Sequence, residues 1–211
     1  MSAGGPRQGP PATASGAVTG GPEGNERLTA STGTVLLVLF AVQGVTVLFL
    51  DQLLTVHFFV GLLLTGPVCL KIGATGYRVV RYYTGAPAYR RKSPPAPVLR
   101  VLGPLVVATS AAVLATGVTL AILGPAGTAR SPVLWLHKAG FVCWIAVTTV
   151  HVLAHVWRLP RLVGAELRRR PEGRGQAVPG RAGRWAVLVM ALGAGTAVAL
   201  AGVHLVSAWN G

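Results

Sequence analysis

The chain has 211 residues, of which 52% are apolar and only 11% are charged, and its formal net charge is +14. Five long apolar stretches take up most of its length, which excludes a soluble globular domain. The positive charge lies between these stretches, so it indicates membrane topology rather than nucleic-acid binding.

Residues 1–30 are rich in Gly, Pro, Ala, Ser and Thr and contain no apolar run. Such a segment buries too little surface to offset the entropy of ordering, which predicts a disordered cytoplasmic tail. The first apolar stretch begins only after this tail and is nearly as long as a bilayer is thick. It is therefore expected to be a retained span and not a cleaved signal peptide.

A transmembrane helix needs about 20 mostly apolar residues. The sequence predicts five spans, at residues 32–50, 53–72, 99–123, 132–156 and 185–208. Their continuous apolar character favours helices over barrel strands, which would alternate polar and apolar residues. The predicted fold class is all-α, a polytopic membrane helical bundle. It comprises a four-helix core at residues 31–158, a basic cytoplasmic loop at 159–184 and a fifth C-terminal transmembrane helix at 185–211.

The basic residues are distributed unevenly between the two sides of the predicted bundle. Those from Lys71 to Arg100 lie between the second and third spans with no acid among them, and a second group runs from Arg158 to Arg184. By the positive-inside rule, both loops are cytoplasmic. The N-terminus is then inside, the C-terminus is outside, and the second and fourth spans run in the same direction. Pro67 is expected to kink the second span near Gly66.

Histidines inside apolar stretches are the candidate functional residues, because ionisable groups at membrane depth are costly and histidine commonly binds metals. His57 and His137 each lie about five residues inside a span from the outer side. Because these spans run the same way, the two imidazoles are expected at matching depth, as the axial ligands of one haem b would be. His204 lies at a comparable level and is either a rival ligand or an interfacial residue.

Other residues belong to the same hypothesis. His151 follows His137 by fourteen residues, and His155 lies one turn further along. Both are candidate ligands of a second haem, with a proton path or a polar cap as alternatives. The residues that would make room for a macrocycle or neutralise its propionates are Gly61, Gly140, Lys138 and Arg130. Cys69 and Cys143 are far apart, and no Cys-x-x-Cys-His motif indicates a covalently attached haem.

A haem-free explanation of these histidines stays open at this point. Histidines in membrane helices also form hydrogen bonds with neighbouring hydroxyl groups, and Thr55, Thr65, Thr148 and Thr149 are available. The chain would then be a small transporter component or a structural partner of a larger complex. The expected match in depth between His57 and His137 favours the haem hypothesis, although with five histidines among five spans such a match could arise by chance.

With its outer histidine on the second span and a His-x13-His pair on the fourth, the chain resembles the integral-membrane cytochrome b subunits of formate dehydrogenases and nickel–iron hydrogenases, and the wider bacterial four-helix di-haem cytochromes. The resemblance covers roughly residues 32–158. It implies that His57 and His137 ligate an outer haem and that His151 ligates an inner one. The family's inner ligand at the start of the first helix is missing, because this chain has Ser31 to Val35 there.

The stretch from Tyr77 to Gly85, together with Leu136-His137-Lys138 downstream, also resembles uncharacterised small membrane proteins of high-GC bacteria. This stretch has tyrosines beside arginines, which is typical of an interfacial anchor; a docking surface or a quinone head-group site is the functional alternative. This local likeness implies no activity, whereas the resemblance to cytochrome b subunits predicts an electron-transfer subunit of the cytoplasmic membrane and not a complete enzyme. Its expected partners are membrane lipids and a redox subunit or quinone, with no nucleic acid.

Overall fold

The computed structural model describes residues 21–90, 97–158, 160, 161, 163, 164 and 179–209. Within these ranges the chain is helical and contains no strand, so the prediction of an all-α polytopic bundle is confirmed. Five helical segments of the described chain are long and apolar enough to cross a membrane. They are Gly21–Leu48, Leu50–Tyr83, Val101–Leu123, Arg130–Ala154 and Arg181–Trp209.

The helices are numbered here in chain order. They are α1 (Gly21–Leu48), α2 (Leu50–Leu63), α3 (Thr65–Tyr83), α4 (Pro87–Arg90), α5 (Pro97–Leu123), α6 (Arg130–His155) and α7 (Arg181–Gly202). Short 3-10 segments, Val156–Arg158 and Val203–Trp209, follow α6 and α7. The second span consists of α2 and α3 together, and the third, fourth and fifth spans contain α5, α6 and α7.

Helix α1 begins at Gly21, so the predicted disordered tail is wrong for residues 21–30, while residues 1–20 lie outside the described chain. Tertiary contacts explain the early start. The buried Asn25 donates from Nδ2 to the carbonyl of Ala74 at 3.1 Å. Lys71 Nζ donates to the carbonyl of Thr29 at 2.6 Å. Both partners lie on α3, far along the chain, where local composition could not reveal them.

The second span is longer than predicted, because its helices continue from Leu50 to Tyr83 and do not end at residue 72. A helix of 34 residues measures roughly 51 Å, which exceeds a hydrocarbon core of about 30 Å. Lys71, Arg78 and Arg81 therefore belong to α3, and the prediction that they lie in a loop is wrong. Arginine and lysine are good helix formers, so the end of the apolar run was no signal for the end of the helix.

The second span is interrupted at Leu64, between α2 and α3. Pro67 has no N–H, so the carbonyl of Leu63 loses its usual helical donor. The interruption is mild, because Leu64 keeps helical dihedrals and bonds to Val60 and Val68 on either side. It lies three residues before Pro67, close to the kink that the sequence predicted at Gly66, and it comes after His57 in the chain.

The first, second and fifth spans pack together, whereas α5 and α6 pack mainly against each other as a hairpin. The sequence did not indicate where the fifth span packs. In the structure, α7 packs along both α2 and α3. This crossing is very close, since a Cβ on Gly66 would collide with the backbone of Ala191 and one on Gly195 with the carbonyl of Leu63. Small residues permit such approaches in membrane proteins.

One face of the fourth span is exposed along its whole length. Trp135 and Trp157 mark its two ends and are 68% and 80% exposed. They are separated by 22 residues, or about 33 Å of helix, and tryptophans are enriched at both interfaces of a bilayer. Between them, Val142, Ile145 and Leu153 are exposed as well. This face matches the thickness of a hydrocarbon layer and is suited to contact with lipid.

Candidate functional site

A cavity of about 1020 Å³ lies between the α5–α6 hairpin and the first and second spans. Its walls are mostly apolar and aromatic. His57, from α2, and His137, from α6, both line it, and the two imidazoles are close enough to interact electrostatically. The structure therefore brings together the two histidines that the sequence singled out as a pair.

The ring of His57 is held at its Nδ1 atom. Thr46, on α1, places its hydroxyl oxygen 2.9 Å from this nitrogen. The Thr46 hydroxyl also donates to the carbonyl of Gln43 at 2.6 Å, so its oxygen can accept from Nδ1–H in the tautomer that carries the proton there. Thr46 is 1% exposed, so the contact is shielded from water.

Gln43 packs beside the same ring. Its amide nitrogen donates to the carbonyl of His57 at 3.1 Å and lies 3.0 Å from Nδ1 and 3.4 Å from Nε2 of the ring. Its amide oxygen is buried and has no hydrogen-bond partner among the described residues. Gln43 also lines the cavity. A buried amide oxygen without a partner is uncommon in folded proteins, which marks this wall as a place where a ligand or water could contribute a donor.

The ring of His137 is held in the same way. Its Nδ1 lies 3.0 Å from the hydroxyl oxygen of Thr116, on α5. The Thr116 hydroxyl also lies 2.8 and 3.0 Å from the carbonyls of Ala112 and Val113, to which it can donate, and its oxygen can then accept from Nδ1–H. Gly117 lies against the ring, and a Cβ there would come within 3.1 Å of His137 Cε1. The position of the imidazole thus depends on a glycine.

The two histidines occupy equivalent places in two helical hairpins. His57 comes seven residues after Leu50, which begins α2, and His137 comes seven residues after Arg130, which begins α6. In each hairpin the threonine that holds the ring lies on the preceding helix. In the tautomer with its proton on Nδ1, each imidazole has a lone pair on Nε2 that can bind a metal ion. A hydrogen bond at the other ring nitrogen is also what orients histidine ligands in metalloproteins.

One end of the cavity is basic. Arg130 lines this end, with its guanidinium carbon 5.2 Å from the ring centre of Trp209, and Lys138 lines the cavity two turns further along α6, next to His137. Arg130 Nε and Trp209 Nε1 are buried and have no hydrogen-bond partner among the described residues. Asp51, which is exposed, also lines the cavity. This end can therefore neutralise an anionic group.

The remaining candidate residues lie in different places. Gly61 lines the cavity, but Gly140 is absent from the lining and packs against Val113 of α5. His151 is half-buried on α6 and does not line the cavity. The side chain of His155 lies outside the described residues. His204 is exposed in the Val203–Trp209 segment, away from the cavity lining.

The sequence missed the residues that hold the rings, which are Gln43, Thr46, Thr116 and Gly117. Hydrogen bonding of the histidines to threonine was foreseen, but with other partners. Thr65 instead donates to the carbonyl of Leu62, and the hydroxyl of Thr148 is buried without a partner among the described residues. A polar Gln43-x-x-Thr46 pair within an apolar run was the available signal, since such residues in membrane helices need partners.

Comparisons of the chain with protein-family models, with curated proteins and with solved structures gave no match. No group of three or more His, Cys, Asp or Glu side chains in the described parts of the chain could hold a metal ion. The site is consequently a pair of imidazoles at a large apolar cavity with a basic end. A bis-imidazole arrangement is one that haem iron uses, with the macrocycle supplying the other four ligands.

Proposed function

We propose that this chain is a b-type haem cytochrome of the cytoplasmic membrane that relays electrons as a subunit of a redox complex. The observation that supports the proposal best is the pairing of His57 and His137 across one cavity. Each ring has a threonine hydroxyl within hydrogen-bond distance of Nδ1, and Nε2 is the nitrogen through which each would hold the iron. The haem would supply one-electron exchange at its iron.

The cavity is chemically suited to a planar apolar cofactor. Its volume of about 1020 Å³ is at the upper end of the 300–1,000 Å³ typical of ligand pockets. Phe40, Phe58 and Phe141 contribute apolar surface to its walls. Such walls exclude water, which is one of the means by which a protein sets a haem's reduction potential. Arg130 and Lys138 would neutralise propionates at the basic end.

We propose one haem and not two. His151, the inner histidine expected from the resemblance to di-haem cytochromes, does not line the cavity, and the first helix offers no histidine at its start. With His57 and His137 both holding the iron, the haem would supply electron relay rather than oxygen activation. The donor and acceptor would be a partner subunit or a quinone.

The orientation follows from charge. The basic stretches beginning at Lys71 and Arg158 favour the cytoplasmic side, which puts the N-terminus inside and the C-terminus outside. The haem would then lie near the outer leaflet, because His137 is only two residues, or about 3 Å of helix, beyond the interfacial Trp135. An acceptor or donor on the outer face would be within reach of this site.

Absorption spectra of the purified full-length protein, oxidised and then reduced with dithionite, test the proposal. Haem-replete expression should give reducible b-type Soret and α bands. His57→Ala and His137→Ala should each abolish or strongly reduce them, while the control His204→Ala, at an exposed position off the cavity, should leave them unchanged. No band in the unmodified protein would favour a haem-free transporter component or structural partner, and loss only in His204→Ala would reassign the ligands.

A further inference from the structure

Hydrogen-bond donors without acceptors gather at the basic end of the cavity. Arg130 Nε and Trp209 Nε1 are both buried there, and neither has a partner among the described residues. Buried donors in folded proteins nearly always find an acceptor. Two such donors at one end of a cavity therefore indicate that a ligand supplies the missing acceptor atoms.

Trp209 is fixed in place across this end by two helices. Its ring meets Phe58 of α2 edge to face, with ring centroids 6.1 Å apart. On the other side the guanidinium of Arg130, on α6, lies 5.2 Å from the ring centre. The Val203–Trp209 segment thus connects the second and fourth spans at the cavity's edge. The two donors are held by packing rather than by mobile surface side chains.

The charges and donors at this end of the cavity indicate which class of ligand it would bind. Arg130 and Lys138 bring two positive charges to the cavity, and Asp51 brings one negative charge from an exposed position. Guanidinium, ammonium and indole N–H groups are all donors with no acceptor capacity. They are matched by carboxylate or phosphate oxygens, which form strong charge-assisted hydrogen bonds with arginine.

We propose that Arg130 and Trp209 form a binding site for the anionic head of an amphipathic ligand whose apolar body occupies the cavity, with Lys138 adding positive charge further along the wall. Haem propionates and the phosphate of a membrane lipid offer the same oxygens. Only the first of these sources rests on the proposed function. The site would fix which end of the ligand faces outward, a property that the two histidines alone do not determine.

Titration of the full-length apoprotein with haem and with haem dimethyl ester tests whether the site binds haem propionates. The ester keeps the iron and the macrocycle but has no carboxylate. The unmodified protein should bind haem about tenfold more tightly than the ester, as expected for loss of one charge-assisted hydrogen bond. Arg130→Gln should remove most of this preference. Arg81→Gln is the matched control, since its Nε is also buried without a described partner but lies off the cavity lining.

Native mass spectrometry with phosphatidic acid and diacylglycerol, which differ in the phosphate, tests the second source. A preference for phosphatidic acid that Arg130→Gln reduces about tenfold supports a lipid phosphate. Trp209→Phe keeps the ring contacts, loses the N–H, and should weaken either preference with the fold intact. If neither haem nor its ester binds, the proposed function fails while the lipid measurement still decides on this site. The proposed site would be overturned if haem bound no more tightly than its ester, phosphatidic acid bound no more tightly than diacylglycerol, and Arg130→Gln changed neither result.

Discussion

The Nδ1 atom of His137 lies 3.0 Å from the hydroxyl oxygen of Thr116, on the helix that precedes it. Thr116 can donate its proton to the carbonyls one turn back and accept from the ring nitrogen. This contact orients the imidazole, and a ring that donates from Nδ1 keeps the lone pair of Nε2 for a metal. His57 is held by Thr46 in the same manner, which makes the threonine part of each candidate ligand position.

Thr116→Val should weaken haem binding without removing the ligand. Valine keeps the shape of the side chain but leaves Nδ1–H without its acceptor, and loss of such supporting groups typically costs about 10–100-fold in metal affinity. The ring also becomes a poorer electron donor, which penalises ferric iron more. The reduction potential should therefore rise, by about 59 mV for each tenfold difference between the two oxidation states. Titration of the α band against potential measures this shift.

Thr119→Val is the matched control for that experiment. Thr119 lies on the same helix, is exposed and donates only to the carbonyl of Ala115, at 2.8 Å. Its replacement should leave both the affinity and the potential unchanged. Equal shifts in the two variants would mean that the Thr116 contact has no special influence on His137.

Gly117→Ala should disturb the position of His137. The new Cβ would lie 3.1 Å from Cε1 and 3.6 Å from Nδ1 of the ring, so the imidazole must move by a few tenths of an ångström. Overpacking of this kind typically costs about 1–3 kcal/mol. We expect a reduced haem content, measured as the ratio of Soret to protein absorbance, and a lower midpoint temperature of unfolding in detergent.

Gly140→Ala is the control, because a Cβ at that position would meet Val113 at an ordinary 3.5 Å. From the sequence, Gly140 was expected to make room for a macrocycle, whereas Gly117, which was not predicted, is the glycine that lies against the His137 ring. If Gly140→Ala lowers the haem content and Gly117→Ala does not, the assignment of the ring's neighbour is wrong.

The sequence was sufficient to locate the spans but not to identify the residues that hold the two histidine rings. Apolar runs predicted the third and fourth spans at 99–123 and 132–156, and the helices lie at Pro97–Leu123 and Arg130–His155. Hydropathy suffices here because helices must satisfy their backbone groups internally within a bilayer. Thr46 and Thr116 could not be found in this way, since their roles depend on which helices become neighbours.

The ends of α1 and α3 were missed for a related reason. Residues 21–30 and 73–83 are not apolar enough to be read as parts of a span, yet they are helical. Contacts between them, such as the bond from Asn25 to Ala74, stabilise both. Neither segment carries the partner in its own sequence neighbourhood, so composition alone indicated a tail for one and a loop for the other.

Gly66→Ala should destabilise the packing of α7 on the second span. A Cβ at Gly66 would collide with the carbonyl of Ala191 and lie 2.8 Å from the backbone nitrogen of Gly195, and backbone atoms cannot move aside as side chains do. We expect a loss of at least about 1–3 kcal/mol in the free energy of unfolding. Unfolding in mixed micelles, followed by tryptophan fluorescence, gives this value.

Gly73→Ala is the control on the same helix, because nothing lies within 4 Å of the position that its Cβ would take. Alanine there should leave the protein as stable as before, or more stable by up to about 1 kcal/mol through its higher helix propensity. Similar losses of stability in both variants would contradict a specific close approach at Gly66.

Tyr89 should make the protein less stable at alkaline pH. Burial raises the pKa of Tyr89 above its ordinary value of 10.0, and neighbouring Tyr77 and Glu23 raise it further, while Arg81 acts in the opposite direction. A folded-state pKa above the unfolded one contributes stability that is complete below the unfolded pKa and disappears as the pH rises through the folded pKa. In ultraviolet titration, Tyr89→Phe should remove an ionisation delayed beyond about pH 10, and it should flatten the fall in stability above that pH. Tyr83→Phe, at a position 77% exposed, should retain both effects; if it removes them instead, the late titration does not belong to the buried ring.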